Sequence, residues 1–389
     1  MATGPRRATR GAVIVLALAL AGCQAASSAA PSVVANVPSA PSTPAVTAAP
    51  SLPPPPPGRI LFEREDAAGE HYFTIRTDGT DEHAIYDREG CECAHWMADG
   101  TRVMTIDATG HGNYSFTTIL PDGTDRVVLE GPSKTLNLAP GATTLDGRRI
   151  AFNGWDETDP SKTGVYIAAP DLSDLRLVLP LQEGWLAVEP SGITPDASRV
   201  LFFVDTGPFG GINHAGDLFV VDADGTRPRQ LNPANAKLAY ISGGGIPGSL
   251  SPDGRQAAFT VDDAVWVVDL DGGDARRITN QDGFVWAVSW SPTGEWITYT
   301  RFHGPTTTIS LVRPDGTDQR EISKLDETDE ANSAVWSPDG KYLVVNRDSD
   351  ASADGPKDIW LMDLDGRYVG QVTHTPSQYS IYGWAPMAS

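Results

Sequence analysis

The sequence SPDGRQAAFTVDDAVWVVDLDGGDARRITN, residues 251–280, decides the fold. It contains two tight-turn signals, PDG at 252–254 and DG at 271–272, and an alternating apolar stretch follows the first of them at 256–261. Pro fixes φ and Gly supplies a positive φ, which are the conformations that reversing antiparallel strands need. Two such turns predict two β-hairpins, which together make a four-stranded antiparallel sheet.

Both turn signals recur along the chain. Copies of the first are spaced by 40 residues (251 to 291) to 57 residues (194 to 251). They begin at positions 97, 144, 194, 251, 291 and 337, and copies of the second begin at 78, 122, 171, 224, 271, 315 and 365. A single four-stranded sheet cannot bury both of its faces, so successive copies must stack. Four-stranded repeats of this length predict the blades of a β-propeller.

The two ends of the repeat region fix the number of blades. The first strand, at 59–63, lacks an inner partner, whereas the chain ends in YGWAP at 382–386, which has the look of an inner strand with no successor. Pairing these two segments completes a seventh blade, whereas six blades would leave an unpaired strand at each end. The sequence therefore predicts an all-β, seven-bladed propeller of four-stranded antiparallel blades, closed by the C-terminal strand.

The repeat at 251–280 resembles that of the TolB-type (PD40, WD40-like) β-propeller proteins. The resemblance covers residues 58–389, and its motifs are specific for the fold but not for a function. TolB itself has an N-terminal α/β domain and six blades, so this chain is not TolB and its partners are not carried over. Hydrolases with similar propellers carry a separate catalytic domain, but no Gly-x-Ser-x-Gly nucleophile motif occurs here. The resemblance therefore favours a protein that is not an enzyme.

The N-terminus has the features of a bacterial export signal. Arg6, Arg7 and Arg10 precede an uncharged apolar run at 11–21, which is too short to span a bilayer. The next residues, LAGC at 20–23, resemble the lipobox of bacterial lipoproteins, which implies that the chain is cut just before Cys23 and that Cys23 is the lipidated first residue of the mature protein. Ordinary secretion with an incidental cysteine is the alternative. The prediction is an extracytoplasmic protein, lipid-anchored to the bacterial cell membrane or outer membrane.

Residues 24–57 are dominated by Ala, Ser, Pro and Val and end in five consecutive prolines. Such a segment cannot bury enough apolar surface to offset its ordering entropy, and the proline run favours an extended polyproline II spacer. We interpret it as a disordered tether that precedes a propeller domain at 58–389.

The formal net charge is −21, from 29 Lys and Arg against 50 Asp and Glu, and it becomes −24 without residues 1–23. Since so negative a surface repels nucleic acid and anionic membranes, neither is an expected partner, apart from the membrane contact of the lipid. Cationic ligands, metal ions and basic patches on other proteins remain possible partners. Acidity that only keeps the domain soluble is the competing interpretation.

Candidate binding residues lie in the connections on one face of the predicted propeller. The turns within the two hairpins of each blade are short, whereas the connections between hairpins and between blades are long and irregular. Variable loops on a rigid scaffold often carry binding functions, although they are also simply the permissive positions. The candidates on this face for ligand or partner binding are Trp155, Trp185, Phe209, His214 and His303.

Cys91, Cys93 and His95 form the sharpest local cluster. At a spacing of two along a strand, their side chains point the same way, and thiolate and imidazole are ligands for copper or zinc. A strained disulfide and two ordinary buried thiols are the alternatives to a metal site. Three Asp-x-Asp-Gly runs superficially resemble calcium loops but lack the later Glu of an EF-hand, so we interpret them as hairpin turns; they lie at 222–225, 269–272 and 363–366.

Three functions compete on this evidence. A protein-binding or scaffold module of the cell envelope ranks first, because a tether and a rigid ring occur without a catalytic motif. A glycan or small-ligand sensor ranks second, because Trp155 and Trp185 offer aromatic faces. A metal-dependent enzyme acting on polysaccharide ranks third and rests on the histidine-rich loops and on fold analogy. The leading function needs no cofactor and no catalytic residues, and none is assigned.

Overall fold

A computed structural model describes most of the chain from Pro54 to Met387 and forms a ring of seven β-sheets. The described ranges are 54–66, 69–86, 94–108, 114–209, 213–240, 248–261, 263–281, 283–303, 306–324, 334–348, 357–375 and 377–387. Within them the single helix is a three-residue 3-10 turn, Pro160–Lys162. In this part of the chain, no helix has the length and apolarity needed to cross a membrane. The predicted signal peptide, Cys23 and all but the last residues of the predicted tether lie outside it.

The strands alternate as the repeat predicts. The first three blades contain β1 (Gly58–Asp66), β2 (Gly69–Arg76) and β3 (His83–Tyr86); β4 (His95–Trp96), β5 (Val103–Ala108), β6 (Tyr114–Ile119) and β7 (Val127–Leu129); and β8 (Leu136–Thr143), β9 (Ile150–Asp156), β10 (Gly164–Ala168) and β11 (Arg176–Pro180). The fourth blade contains β12 (Ala187–Ile193), β13 (Arg199–Phe209), β14 (Asn213–Asp222), β15 (Arg229–Gln230) and an additional strand, β16 (Leu238–Tyr240).

The remaining blades follow the same order, and the last strand returns to the first blade. They contain β17 (Gly248–Leu250), β18 (Gln256–Val261), β19 (Ala264–Asp269) and β20 (Arg276–Arg277); β21 (Phe284–Trp290), β22 (Ile297–His303), β23 (Thr306–Val312) and β24 (Arg320–Lys324); β25 (Val335–Trp336), β26 (Tyr342–Asp348), β27 (Lys357–Asp363) and β28 (Tyr368–Gln371); and finally β29 (Gln378–Pro386). Strand β29 is the inner strand of the first blade, whose order is β29-β1-β2-β3.

Pairing of the two ends closes the ring, as the sequence predicts. Strands β1 and β29 run antiparallel, with Gly58 opposite Pro386 and Ile60 opposite Trp384. The indole nitrogen of Trp96, at the start of the second blade, donates to the carbonyl oxygen of Gly383 at 3.3 Å. The seven-bladed, all-β architecture is therefore confirmed, together with its mode of closure.

The core of the molecule lies between blades. Seven hydrophobic clusters occur among the described residues, one between each pair of neighbouring blades, because each sheet buries both of its faces. In the cluster that joins the last blade to the first, Phe62 and Ile381 pack with Tyr342 and Ile359. Burying one such side chain contributes roughly 1.5–3 kcal/mol. A blade therefore gains most of its stability from its neighbours.

Side-chain hydrogen bonds explain the first turn signal. The hydroxyl of Ser251 donates to Asp253 Oδ1 at 2.7 Å and accepts from the backbone N–H of Gln256 at 2.9 Å. Thr144, Thr194 and Ser337 make the same pair of bonds in their own blades. In these four blades a hydroxyl and a carboxylate two positions apart together satisfy polar groups of the turn.

The second turn signal is stabilised in a similar way. Asp224 Oδ1 accepts from the backbone N–H of Thr226 at 2.9 Å and from its hydroxyl at 2.5 Å. The hydroxyl bond lowers the pKa of this carboxyl below its usual value, and the same holds for Asp78, Asp122 and Asp315. The three Asp-x-Asp-Gly runs are thus hairpin turns. Asp224 and Asp363 accept hydrogen bonds from their own turns, whereas Asp271 pairs with Arg199 of the neighbouring blade.

Gly366 shows why some of these turns need glycine. Its φ is +81°, which a side chain disfavours, and a Cβ there would collide with the carbonyl oxygen of Ile322 in the preceding blade. Turn geometry and blade packing therefore both require glycine at this position.

Candidate functional site

The connections of the propeller separate into two faces. We call turn face the end that carries the turns between the first and second and between the third and fourth strands of each blade. We call loop face the opposite end, where second strands lead into third strands and one blade leads into the next. The turn face consists of short hydrogen-bonded turns. Several loop-face connections lie outside the described residues.

The five candidate binding residues all lie on the loop face. Trp155 and Phe209 lie at the ends of second strands, β9 and β13, and His303 ends β22. His214 is at the start of β14, paired with Pro208 and thus beside Phe209 in the hairpin. His303 belongs to the sixth blade and is separated from that hairpin by the fifth. The side chains of Phe209, His214 and His303 lie outside the description.

Trp185 is half-buried and packs against two other aromatic rings. It lies between β11 and β12, and its ring centroid is 5.1 Å from that of Phe219 and 6.0 Å from that of Phe202. Because its neighbours hold the indole in the cluster between the third and fourth blades, much of its surface is unavailable for stacking on a sugar ring. Trp155 is also half-buried.

The segment 206–216 is mainly a strand hairpin, although the sequence pattern suggested a long irregular loop. Strands β13 and β14 continue beyond the blade with Gly207 opposite Ala215 and Phe209 opposite Asn213. The register shifts between Asp205 and Gly207, and this bulge, next to a proline, hides the alternation in the sequence. Strand β16 pairs with the extended part of β14. The fourth blade therefore projects further than a four-stranded blade would.

A polar network supports this projection. Asp217, largely buried, accepts hydrogen bonds from Asn232 Nδ2 at 2.9 Å and Gln230 Nε2 at 3.1 Å, and it pairs with Lys237. Asn232 also donates to the carbonyl oxygen of Ala236 at 2.6 Å, which fixes the chain before β16. The buried carboxylate is satisfied from within, as buried charges require. Its role in the described structure is to hold the projection in place.

A second loop-face carboxylate is likewise satisfied internally. The side chain of Asp156, at the end of β9, is fully buried and accepts hydrogen bonds from the hydroxyl of Thr158 at 2.7 Å and that of Thr135 at 2.8 Å. The bond from Thr158 is the main reason that the pKa of Asp156 lies at about 2. This carboxylate shapes the connection that contains the 3-10 turn.

His95 is the described member of the predicted metal cluster. It lies on β4 opposite Met104, and burial lowers the pKa of its imidazole to about 4. Cys91 and Cys93 lie outside the described residues, so the disulfide, free thiols and metal site all remain predictions. Among the described residues, no group of three or more His, Cys, Asp and Glu side chains is arranged to hold a metal ion.

Two apolar side chains are exposed where inner strands begin at the loop face. Leu186, just before β12, is 61% exposed, and Phe284, the first residue of β21, is 36% exposed. The sequence reading missed both, because their exposure depends on how the blades meet and not on a local motif. They are the described apolar contact points of this face.

Known proteins share this architecture. No family model matches the chain. TolB from Acinetobacter baumannii superposes with a TM-score of 0.51 at 16% identity, over 85% of this chain and 67% of that one. The fold is that of a TolB-like β-propeller. A TM-score of 0.53 at 15% identity relates this TolB-like propeller to an oligogalacturonate lyase in complex with manganese, over 82% and 87% of the two chains.

Sequence comparison adds one curated relative. Dipeptidyl-peptidase 5 of Porphyromonas endodontalis is 33% identical over 113 residues, which are 26% of this chain and 16% of that protein's length. A prolyl endopeptidase structure, with a TM-score of 0.55 at 14% identity, matches 87% of this chain and 50% of its own. The relatives of the TolB-like propeller thus include proteins named as enzymes, and the fold serves more than one function.

Proposed function

We propose that this TolB-like propeller is a lipid-anchored, protein-binding module of the bacterial envelope and that its loop face engages another envelope protein. The observation that carries the proposal is the contrast between the two faces. The turn face has turns of similar short length, whereas the loop-face connections vary from two residues between β18 and β19 to ten between β24 and β25, and this face also exposes Leu186 and Phe284. Exposed apolar side chains on a rigid frame are suited to anchor a partner.

The entry of the chain supports this arrangement. Strand β1 begins on the turn face, where the backbone N–H of Thr77 donates to the carbonyl oxygen of Gly58 at 3.0 Å. The hydroxyl of Thr77 also donates to the carbonyl oxygen of Pro56, at 3.4 Å. The proposed tether, which ends at residue 57, therefore joins the propeller at the turn face.

Charge narrows the kind of partner. With a formal net charge of −24 after removal of residues 1–22, the protein attracts a partner that presents basic side chains around an apolar contact. Electrostatic attraction mainly raises the rate of encounter, whereas the apolar contacts slow dissociation. Capture is therefore expected to weaken at high salt.

A matched pair of leucines tests the loop face. Leu186 on the loop face is 61% exposed, and Leu145 in a turn-face turn is 68% exposed, so a charge at either position leaves the core intact. Intact cells are cross-linked, and the tagged protein is recovered as wild type, Leu186→Glu and Leu145→Glu. We expect a partner that is captured by wild type and Leu145→Glu and lost with Leu186→Glu. Equal capture by both variants contradicts the proposed face.

The anchor is tested separately. Cys23→Ser removes the acylated thiol, so the variant should lose incorporation of labelled fatty acid and move from the membrane fraction to the soluble fraction. A variant that stays in the membrane fraction contradicts the lipid anchor and leaves the result for the loop face standing.

A further inference from the structure

Arg301 is a buried cation in the sixth blade, next to the loop face. It lies two residues before the end of β22, opposite Val285 on β21 and Thr308 on β23. Its side chain faces the fifth blade, since its Nη2 donates to the carbonyl oxygen of Asn280 at 3.1 Å. The residue is 4% exposed.

Its charge has no counterion among the described residues. A guanidinium offers five N–H donors, and the bond to Asn280 uses one of them. Nε has no hydrogen-bond partner in the described part of the chain, and the guanidinium carbon lies over the ring of Tyr299, 5.3 Å from its centroid. By contrast, Arg102 and Arg199, which are more exposed, pair with Asp125 and Asp271 at 2.8 and 2.5 Å.

A second buried polar group, the hydroxyl of Thr308, lies beside Arg301. Thr308 is 2% exposed, and its hydroxyl is buried without a hydrogen-bond partner among the described residues. Because Thr308 is directly opposite Arg301 in the strand register, the two side chains project from the same face of the sheet. Among the described residues, a buried guanidinium with one hydrogen bond and a buried hydroxyl with none therefore occur side by side.

Such an arrangement costs stability unless something compensates it. A buried charge without a partner is strongly unfavourable, and a buried hydroxyl without one adds to the cost. Hydrogen bonds to an anion from outside the fold would satisfy both groups. The planar guanidinium matches two oxygens of a carboxylate or phosphate, and a hydroxyl can donate to an oxygen of the same group.

We propose that Arg301 and Thr308 form a binding site for the carboxylate or phosphate group of a small anionic ligand, which enters between the fifth and sixth blades from the loop face. The backbone carbonyl of Asn280 holds the guanidinium in place from the side of the fifth blade. This site is independent of the partner proposed for Leu186 and Phe284. It also differs from the acidic remainder of the protein, which repels anions.

The test measures thermal unfolding of the purified propeller in sodium chloride, sodium phosphate and sodium malonate at equal ionic strength. We expect phosphate or malonate to raise the wild-type midpoint by about 3 °C at saturation and to leave that of Arg301→Met unchanged. A response to phosphate alone identifies a phosphoryl ligand, and a response to malonate alone identifies a carboxylate. Thr308→Val should need a several-fold higher anion concentration for the same shift.

Two further measurements serve as controls for this test. Arg347→Met removes an exposed arginine that stacks on Trp360 and Tyr368 in the seventh blade, and it should retain the full response to the anion. In chloride, Arg301→Met should be at least as stable as wild type, because it removes an uncompensated charge. The proposal is overturned if the wild-type midpoint responds to neither anion, or if Arg301→Met fails to fold or unfolds earlier in chloride.

Discussion

The turn face and the loop face are built from the same strands but obey different constraints. On the turn face, the identity of each motif residue is constrained by a hydrogen bond, a backbone angle or a contact with a neighbouring blade, as Ser251, Asp253 and Gly366 show. On the loop face, the connections differ from blade to blade, and the fourth blade has even gained an extra strand. We infer from this difference that the turn motif maintains the ring, whereas the length and sequence of the connections can vary on the loop face.

Removing the closing strand gives the largest expected effect on the ring. Truncation after Ser377 deletes β29 and leaves the edge of β1 unpaired, so we expect cooperative thermal unfolding to be lost and the protein to aggregate. Circular dichroism and size-exclusion chromatography measure both properties. Truncation after Met387 is the control, since it keeps all of β29. A chain ending at 377 that unfolds at the wild-type temperature would show that the turn face does not depend on closure.

Two turn-face glycines separate backbone strain from blade packing. Gly366→Ala and Gly272→Ala both place a side chain at positive φ, of +81° and +129°, which costs about 1–3 kcal/mol. Only at Gly366 does the new Cβ also meet the preceding blade, which adds roughly 1–3 kcal/mol. Denaturant unfolding of the two variants should therefore show Gly366→Ala as the less stable one. Equal losses would mean that the blades adjust freely to each other.

The smallest effects come from single carboxylates whose pKa values shift in opposite directions. The hydroxyl of Thr226 lowers the pKa of turn-face Asp224 from 3.8, so its contribution to stability is present above that pH and is lost as the pH falls below it. Burial raises the pKa of Asp358, at the loop-face end of β27, so the folded state gains stability as the pH falls through that raised value.

The corresponding variants should therefore diverge with pH. Between pH 7 and pH 3, Asp224→Asn is expected to lose less stability than wild type, and Asp358→Asn to lose more while being at least as stable at pH 7. Thermal midpoints across this range measure both. If the thermal midpoints of the two variants changed with pH in parallel, the expected opposite pKa shifts of Asp224 and Asp358 would be contradicted.

The turn face was predictable from the sequence because its constraints are local. The strand expected at 256–261 is β18 with the same bounds, and the pairing of the chain ends follows from a missing partner at each. The loop face was less predictable. The burial of Trp185 and the isolation of Arg301 depend on side chains from neighbouring blades, and a bulge at Gly207 concealed the extended hairpin.

The closure of the ring also determines at what stage the protein can complete its fold. The hydroxyl of Tyr382 donates to the carboxylate of Glu63 at 2.6 Å, across 319 positions of sequence. Contacts between such distant positions form late, because they require a large loop to close. During synthesis the first blade cannot be completed until the last strand, β29, has emerged from the ribosome. The proposed export of the chain is compatible with this order of events, because the ring would close only after both ends of the chain had been translocated.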